Sequence, residues 1–373
     1  MNVRRSPSYA LTFGAIALAL FAGTLFVACS TELNAQRRPV LPQIAVPHPY
    51  YFRELYLPQL TTGPSAVSWS PDGKSLIYSM RGSLWRQSVD SEDAVQLTDG
   101  PGYDYQPDWS PDGRWVVYTS YSGSAITLRL LDVTSKSSRA LIDDGTVNVE
   151  PRWSPDGSRI AWVSTAFEGR FHVFVATLRL GALSATHRVS EDVESPLPRY
   201  YYSRFDHYLS PAWLDAEHLV IVSNRGSIWG TGGLWILPLS NESLGATPAS
   251  RMHPVHFEET NWKARPDVTR DGRRIVFASY AGRQWHQLAL LASDTTHQES
   301  PIQLTFGDFD ATAPRWSPDG RSIAFVSNEA GNTALRIVGV QGGGVRSLVA
   351  RTRRWMRPAG ALRLVVVDSS TRR

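Results

Sequence analysis

Trp109-Ser110-Pro111-Asp112-Gly113-Arg114-Trp115-Val116-Val117-Tyr118 holds one complete turn and the start of the strand that follows it, and its reading decides the fold. Proline presets φ, the aspartate bonds back to nearby backbone, and glycine takes the positive φ that closes a tight turn. The run from Trp115 to Tyr118 is aromatic and β-branched, the composition of a half-buried strand. The same turn recurs whole at Trp69-Ser70-Pro71-Asp72-Gly73, Trp153-Ser154-Pro155-Asp156-Gly157 and Trp316-Ser317-Pro318-Asp319-Gly320. It recurs in altered form at Trp213-Leu214-Asp215-Ala216-Glu217 and Val268-Thr269-Arg270-Asp271-Gly272. Successive anchors stand 40, 44, 60, 55 and 48 residues apart, a period that indicates propeller blades or another repeat array.

Each turn leads into an apolar run such as Leu76-Ile77-Tyr78 or Ile323-Ala324-Phe325. A third strand follows, as at Leu84-Trp85-Arg86 and Leu335-Arg336-Ile337, and a weaker fourth is visible at Val95–Thr98 and Ile302–Thr305. Four strands per unit and six units predict an all-β, six-bladed β-propeller over residues 51–355. Proline stands two places before the anchor in five copies (Pro107, Pro151, Pro211, Pro266 and Pro314). Proline cannot donate to a ladder and so belongs on an edge strand, here the innermost strand of each blade. The anchor tryptophans are then expected to pack between neighbouring blades. Glu54-Leu55-Tyr56-Leu57 is expected to join the last blade and close the ring, which removes an exposed edge.

The remainder of the chain bounds the class. Hydrophobic residues make up 42%, enough for a large core, and 38 basic against 34 acidic residues leave only a small net charge. Arg4 and Arg5 supply part of that excess, so there is no basic footprint for nucleic acid. Arg4-Arg5 precedes an uncharged, apolar stretch that ends at Ala28-Cys29, which reads as an export leader over 1–29. Cys29 is the only cysteine, so no disulfide framework is expected in the exported part. Three forms stay open: a lipoprotein leader with Cys29 lipidated, a cleaved signal peptide, or an uncleaved membrane anchor. Residues 30–50 read as a proline-rich tether, and 356–373 as a further strand that could begin another domain.

No catalytic constellation stands out. There is no Gly-x-Ser-x-Gly elbow and no His-Glu-x-x-His, and Gly230-Thr231-Gly232-Gly233 precedes a strand rather than the helix a phosphate cradle needs. His253-Pro254-Val255-His256-Phe257-Glu258-Glu259 has metal-ligating types but no defined spacing, and reads as a polar loop between blades. No metal and no cofactor are expected. Positions that vary among the copies cannot be turn chemistry, so recognition is sought there. Those just before the proline and at the start of the inner strand place Asp104, Glu150, His207, Lys263, Arg265 and Asp310 near one mouth of the channel. A second candidate is the insertion Arg199–Tyr208, where Tyr201, Tyr202 and Arg204 are types enriched in binding patches.

The Trp-Ser-Pro-Asp-Gly repeats, with following strands that end as in Phe325-Val326-Ser327-Asn328, resemble the TolB-type propeller. More narrowly, Arg53–Thr61, Asn261–Pro266 and Gly307–Trp316 are similar to the propeller at the N-terminus of large secreted amidohydrolases. The resemblance implies an exported envelope protein of bacterial type, periplasmic or membrane-attached. On that basis the chain is expected to be a non-catalytic binding or scaffold module that docks a protein partner or hydrolase domain. The alternative it implies is the N-terminal propeller of a metal-dependent amidohydrolase or a prolyl-peptidase-like hydrolase, separated from its catalytic domain.

Overall fold

The computed structural model describes residues 63–353 apart from short breaks at 124, 180, 200–202, 229, 231, 240–244, 259–263, 281–283, 295–299, 342–343 and 349–350. The leader with Cys29, the tether, the expected closing segment 54–57 and residues 356–373 all lie outside the described residues.

Six antiparallel sheets follow one another along the chain, at residues 64–96, 103–142, 148–188, 208–256, 267–303 and 311–348, hereafter blades 1 to 6. Within each blade the strands lie in chain order from the first to the fourth. The six first strands are Pro64–Trp69, Tyr103–Trp109, Asn148–Trp153, Tyr208–Trp213, Asp267–Val268 and Ala311–Trp316. Each touches the first strand of the next blade, and the last touches the first, so these strands line a closed central channel. The blade count, strand order and inner edge agree with the sequence reading.

The turn chemistry explains why the repeat is so constant. Ser154 Oγ donates to Asp156 Oδ1 at 2.5 Å and accepts the Arg159 amide at 2.9 Å, while Asp156 Oδ1 accepts the Ser158 amide at 3.1 Å. Gly157, at φ 72°, returns its N–H to the Ser154 carbonyl at 2.9 Å. The same set forms around Ser70, Ser110 and Ser317, and Thr269 substitutes for serine in blade 5. Blade 4 departs from it: Asp215 takes the Glu217 amide and the His218 ring. Each turn thus satisfies most of its backbone from within four or five residues; in addition the Arg159 guanidinium of blade 3 donates to the Ala216 carbonyl of the blade 4 turn, and that of Arg274 in blade 5 to the Gly320 carbonyl of the blade 6 turn.

Apolar packing is between blades, as expected of the anchors. Trp316 packs with Val276, Leu288 and Leu290 of blade 5, and Trp213 with Ala161, Val173 and Val175 of blade 3. The Trp69 indole crosses the seam between chain ends and donates to the Arg315 carbonyl at 3.0 Å.

Two departures from the sequence reading appear. The His253–His256 segment, read as a loop, is the fourth strand of blade 4. It pairs through backbone groups that the polar side chains do not reveal. Blade 1 carries a fifth strand, Arg351–Arg353, added parallel to Asp93–Gln96 at its outer edge. Among the described residues, blade 6 has its own four consecutive strands.

Candidate binding site in the channel

The inner strands are not regular. In blades 2 to 6 the residue before the proline lies in the left-handed region: Gln106 at φ 51°, Glu150 at 55°, Ser210 at 49°, Arg265 at 36° and Ala313 at 50°. A residue before proline is normally driven to extended backbone, and non-glycine residues seldom adopt positive φ. The ladder skips at this point, between Tyr105 and Asp108, Leu209 and Ala212, and Thr312 and Arg315, which is the signature of a β-bulge. Each bulge frees an amide from the ladder and turns a side chain along the ring. Blade 1 has Ala66-Val67 at the matching place, with no proline and no left-handed residue.

The freed groups are used between blades. Gln106 Oε1 accepts the Glu150 amide at 2.9 Å, and Glu150 Oε2 accepts the Ser210 amide at 2.7 Å. Glu150 Oε1 takes the Ser210 hydroxyl at 3.1 Å and lies 3.6 Å from Arg265 Nε. One strand position deeper runs a second layer of residues, each directly before its anchor. Ser68, Asp108 and Asp267 accept the backbone N–H of Trp109, Trp153 and Trp316 in the following blade. Where that residue is arginine it donates to the next blade's carbonyl: Arg152 to Pro211, and Arg315 to Val67.

The four charges of this layer meet. Arg152 lies 3.6 Å from Asp108; Arg315 lies 3.7 Å from Asp108 and 3.3 Å from Asp267. Asp108 and Asp267 belong to opposite blades, so Arg315 joins carboxylates across the channel. Their side chains are between 10% and 20% exposed, which makes the cluster a plug rather than an open lining. Burial outweighs the nearby arginines and pushes both carboxyls up, Asp108 to about 6 and Asp267 to about 7.

The sequence-derived mouth residues divide. Glu150 and Arg265 come together as above. Asp104 is buried and accepts the Ser120 hydroxyl of its own blade at 2.7 Å; burial raises its carboxyl. His207 is buried and its amide donates to Asn224 Oδ1 at 3.0 Å. Asp310 holds the His286 ring, Nδ1 to Oδ1 3.0 Å, at the junction of blades 5 and 6. These three stand at the starts of inner strands or just ahead of them, beyond the bulges. Lys263, Tyr201 and Tyr202 lie outside the described residues. Arg204 is exposed and faces Glu194 at 3.4 Å, a surface pair. Asp108, Arg152, Asp267 and Arg315 were missed by the sequence reading. Their signal was present as a charged residue immediately before four of the six anchors.

One buried set invites comparison with a hydrolytic triad. His172 Nδ1 lies 2.9 Å from Ser190 Oγ, and Nε2 3.2 Å from Asp192 Oδ1. Yet both Ser190 and His172 have no exposed surface, and the hydroxyl already accepts the Val173 amide at 3.1 Å. Burial first, and then the Arg188 charge, lowers the imidazole to about 4. With Arg170 clasping Asp192, the set braces the loop that leads into blade 4. Among the described residues no group of three or more metal-ligating side chains comes together.

Residues 59–186 match the family described as the TolB beta propeller domain. A 48-residue segment is 49% identical to an uncharacterized peptidase of Bacillus subtilis, and a 79-residue segment is 34% identical to an uncharacterized protein of Agrobacterium fabrum. These matches take in 13% and 20% of this chain, which spans only 7% and 27% of those relatives' own length. Among solved structures, TolB from Acinetobacter baumannii superposes with a TM-score of 0.54 at 18% identity, over 80% of this chain and 69% of that one. The tricorn protease superposes with a TM-score of 0.52 at 16% identity, over 80% of this chain and 27% of that one. A puromycin-hydrolyzing peptidase of Mycobacterium tuberculosis gives 0.50 at 16% identity, over 76% and 45%. At such identities the superpositions speak for fold alone, and they agree with the strand order and the repeat: the chain is a six-bladed β-propeller similar to TolB, with residues 59–186 matching the TolB beta propeller domain.

Proposed function

We propose that the propeller is a non-catalytic docking module that engages a protein partner at the channel mouth, on the face where the inner strands begin. The observation that carries this reading is the bulge ring. Five strained residues are held around one opening, and their side chains differ from blade to blade while the turns at the other face stay nearly the same. Left-handed non-glycine residues cost on the order of 1–3 kcal/mol each, and strain of that kind gathers where it positions something. The apolar leader supports an exported setting for this module.

A second reading is favoured by the superpositions on peptidases, which leave more than half of those chains unmatched. In it the partner is a hydrolase, held by the same face.

Capture tests both. The full chain is immobilised and exposed to envelope extract of the source organism, beside a Glu150→Gln/Arg265→Gln variant and a turn-face control, Arg114→Ala. The expected result is one partner retained by wild type and control and lost by the double variant, with melting temperatures confirming that all three fold. A partner of hydrolase chemistry selects the second reading. Equal retention by all three, or retention of nothing, overturns docking at the mouth.

A further inference from the structure

We infer that the charged plug of the channel is an anion-binding site kept closed by its own carboxylates: once Asp108 and Asp267 take up protons, Arg152 and Arg315 bind a small oxyanion from solution in their place. The site lies one layer deeper than the bulge ring and stands whether or not a partner docks at the mouth.

Each group of the plug is fixed by backbone rather than by its ionic partner. Arg152 Nε donates to the Pro211 carbonyl at 3.2 Å and Arg315 Nε to the Val67 carbonyl at 3.0 Å. Both guanidiniums are thus held in the channel whatever charge the carboxylates carry. Asp108 and Asp267 are held likewise, by the Trp153 and Trp316 amides at 2.8 and 2.7 Å. The two cations meet at a single atom: Arg152 Nη1 lies 3.6 Å and Arg315 Nη2 3.7 Å from Asp108 Oδ1. Both distances are too long for a hydrogen bond, and Arg152 Nη1 has no hydrogen-bond partner among the described residues. At Arg199–Asp206, by contrast, guanidinium and carboxylate close to 2.7 Å. Asp108 therefore gives the two arginines charge without hydrogen bonds, and their donors remain to be used.

Two cations and two anions balance at this level, where Ser68 and Ala212 fill the other two places. Besides these four, the charged residues of the inner strands are Asp104 and Glu150, with Arg265 just ahead of the blade 5 strand. Asp104 is bonded within its own blade and Glu150 lies against Arg265, so each is engaged elsewhere. Burial raises the Asp108 and Asp267 carboxyls toward neutrality, whereas arginine keeps its proton throughout. Mild acid thus removes both negative charges and leaves two guanidiniums around one point with no counter-charge. Like charges so placed repel, and an oxyanion between them both relieves the repulsion and accepts from two planar donor forks. Side chains 10% to 20% exposed leave the point within reach of solvent.

Sulfate is the probe, because it stays a dianion from about pH 5 to about pH 8 while carboxyls raised as these are change charge between those values. The full chain is labelled with 15N-arginine, and the Nε resonances of Arg152 and Arg315 are assigned through Arg152→Lys and Arg315→Lys. Arg114, an exposed side chain, reports non-specific binding. The expected result is a saturable shift of both plug resonances at about pH 5, with affinity at least about tenfold weaker at about pH 8. Asp108→Asn/Asp267→Asn keeps the acceptors for the two tryptophan amides without their charge. It should bind sulfate at about pH 8 as tightly as the wild type does at about pH 5. Should the pair not fold, Asp267→Asn alone is expected to bind at the higher pH with intermediate affinity. No saturable shift in acid, equal wild-type affinity at both pH values, shifts that Arg114 shares, or a folded asparagine variant that gains no binding overturns the inference.

Discussion

Asp267 and Asp271 stand four residues apart in blade 5, and their carboxyl groups are driven in opposite directions. Asp271 sits in the exposed turn, where the Thr269 hydroxyl and the Arg273 amide hold it below the ordinary value. Asp267 sits in the channel, where burial raises it to about 7 despite Arg315 at 3.3 Å. The contrast holds for the molecule as a whole. Turn aspartates Asp72, Asp156 and Asp319 are likewise lowered by hydroxyl and amide donors of their own turn, although burial is the largest single effect on Asp156 and opposes the donors. The channel aspartates serve the neighbouring blade. The turn carboxylates are therefore satisfied locally and interchangeably, and those of the channel only in the assembled ring.

Four predictions sharpen or break that contrast. The largest effect is expected at the channel: Arg315→Met leaves Asp108 and Asp267 short of their shared counter-charge and should cost about 3–5 kcal/mol in urea unfolding. A loss below about 1 kcal/mol would show that the cluster is neutral to folding.

The second concerns pH. A carboxyl raised in the native state holds its proton between about pH 4 and 7 while the unfolded chain has released it. Stability contributed by Asp267 is thus present at the acid end of this window and lost as pH rises through it, by at most about 1.4 kcal/mol per pH unit for one proton. Asp267→Asn should flatten that decline. The lowered turn carboxyls act in the opposite sense and below it: their stabilisation is lost as pH falls under about 4, reaching toward 2 for Asp156. A variant whose stability still declines between pH 4 and 7 as steeply as the wild type would remove Asp267 as the cause.

Third, Ser154→Ala deletes the buried hydroxyl that joins Asp156 to the Arg159 amide and should cost about 1–3 kcal/mol. The effect should be the same, within error, for Ser317→Ala, because both turns are closed alike; unequal losses would break the claim of interchangeability. Smallest is Arg114→Ala, an exposed side chain whose partner Asp132 is 3.5 Å away. A change below about 0.5 kcal/mol is expected in thermal melts.

The same contrast explains what the sequence revealed. Ser-Pro-Asp-Gly declares its conformation within five residues, so turns, following strands and blade count were legible, and the prolines at Pro107, Pro151, Pro211, Pro266 and Pro314 marked the inner edge. Glu150 and Arg265 were legible as varying positions beside those prolines. Their meeting was not, since it depends on bulges that the neighbouring letters do not announce. Asp108 and Arg315 are partners across more than 200 residues, a relation set by ring closure alone. Asp104, His207 and Asp310 stood three or four places before their prolines, ahead of the bulge, and offset from the proline ceases to predict direction past it. The His253–His256 strand escaped because outer strands are held by backbone pairing and carry little pattern of their own.

Ring closure also has a kinetic side. Hydrogen bonds between the inner strands of the other neighbouring blades join residues 41 to 61 apart, as in Ser68–Trp109 and Arg152–Trp213. The seam between blades 6 and 1 joins residues 246 to 257 apart, through Trp69–Arg315, Arg315–Val67 and Arg346–Val89. Loop-closure entropy grows only as the logarithm of length, so the seam costs about 1.5 kcal/mol more than an ordinary junction. The penalty is small, but its timing is not. Blades can form in order as each becomes available, whereas the seam waits for the sixth. Until then Trp69 lacks its acceptor on blade 6, and the fifth strand at Arg351–Arg353 has not reached the edge of blade 1. Synthesis from the N-terminus therefore holds blade 1 incomplete the longest, and makes its open side the surface that a nascent chain most needs to shield.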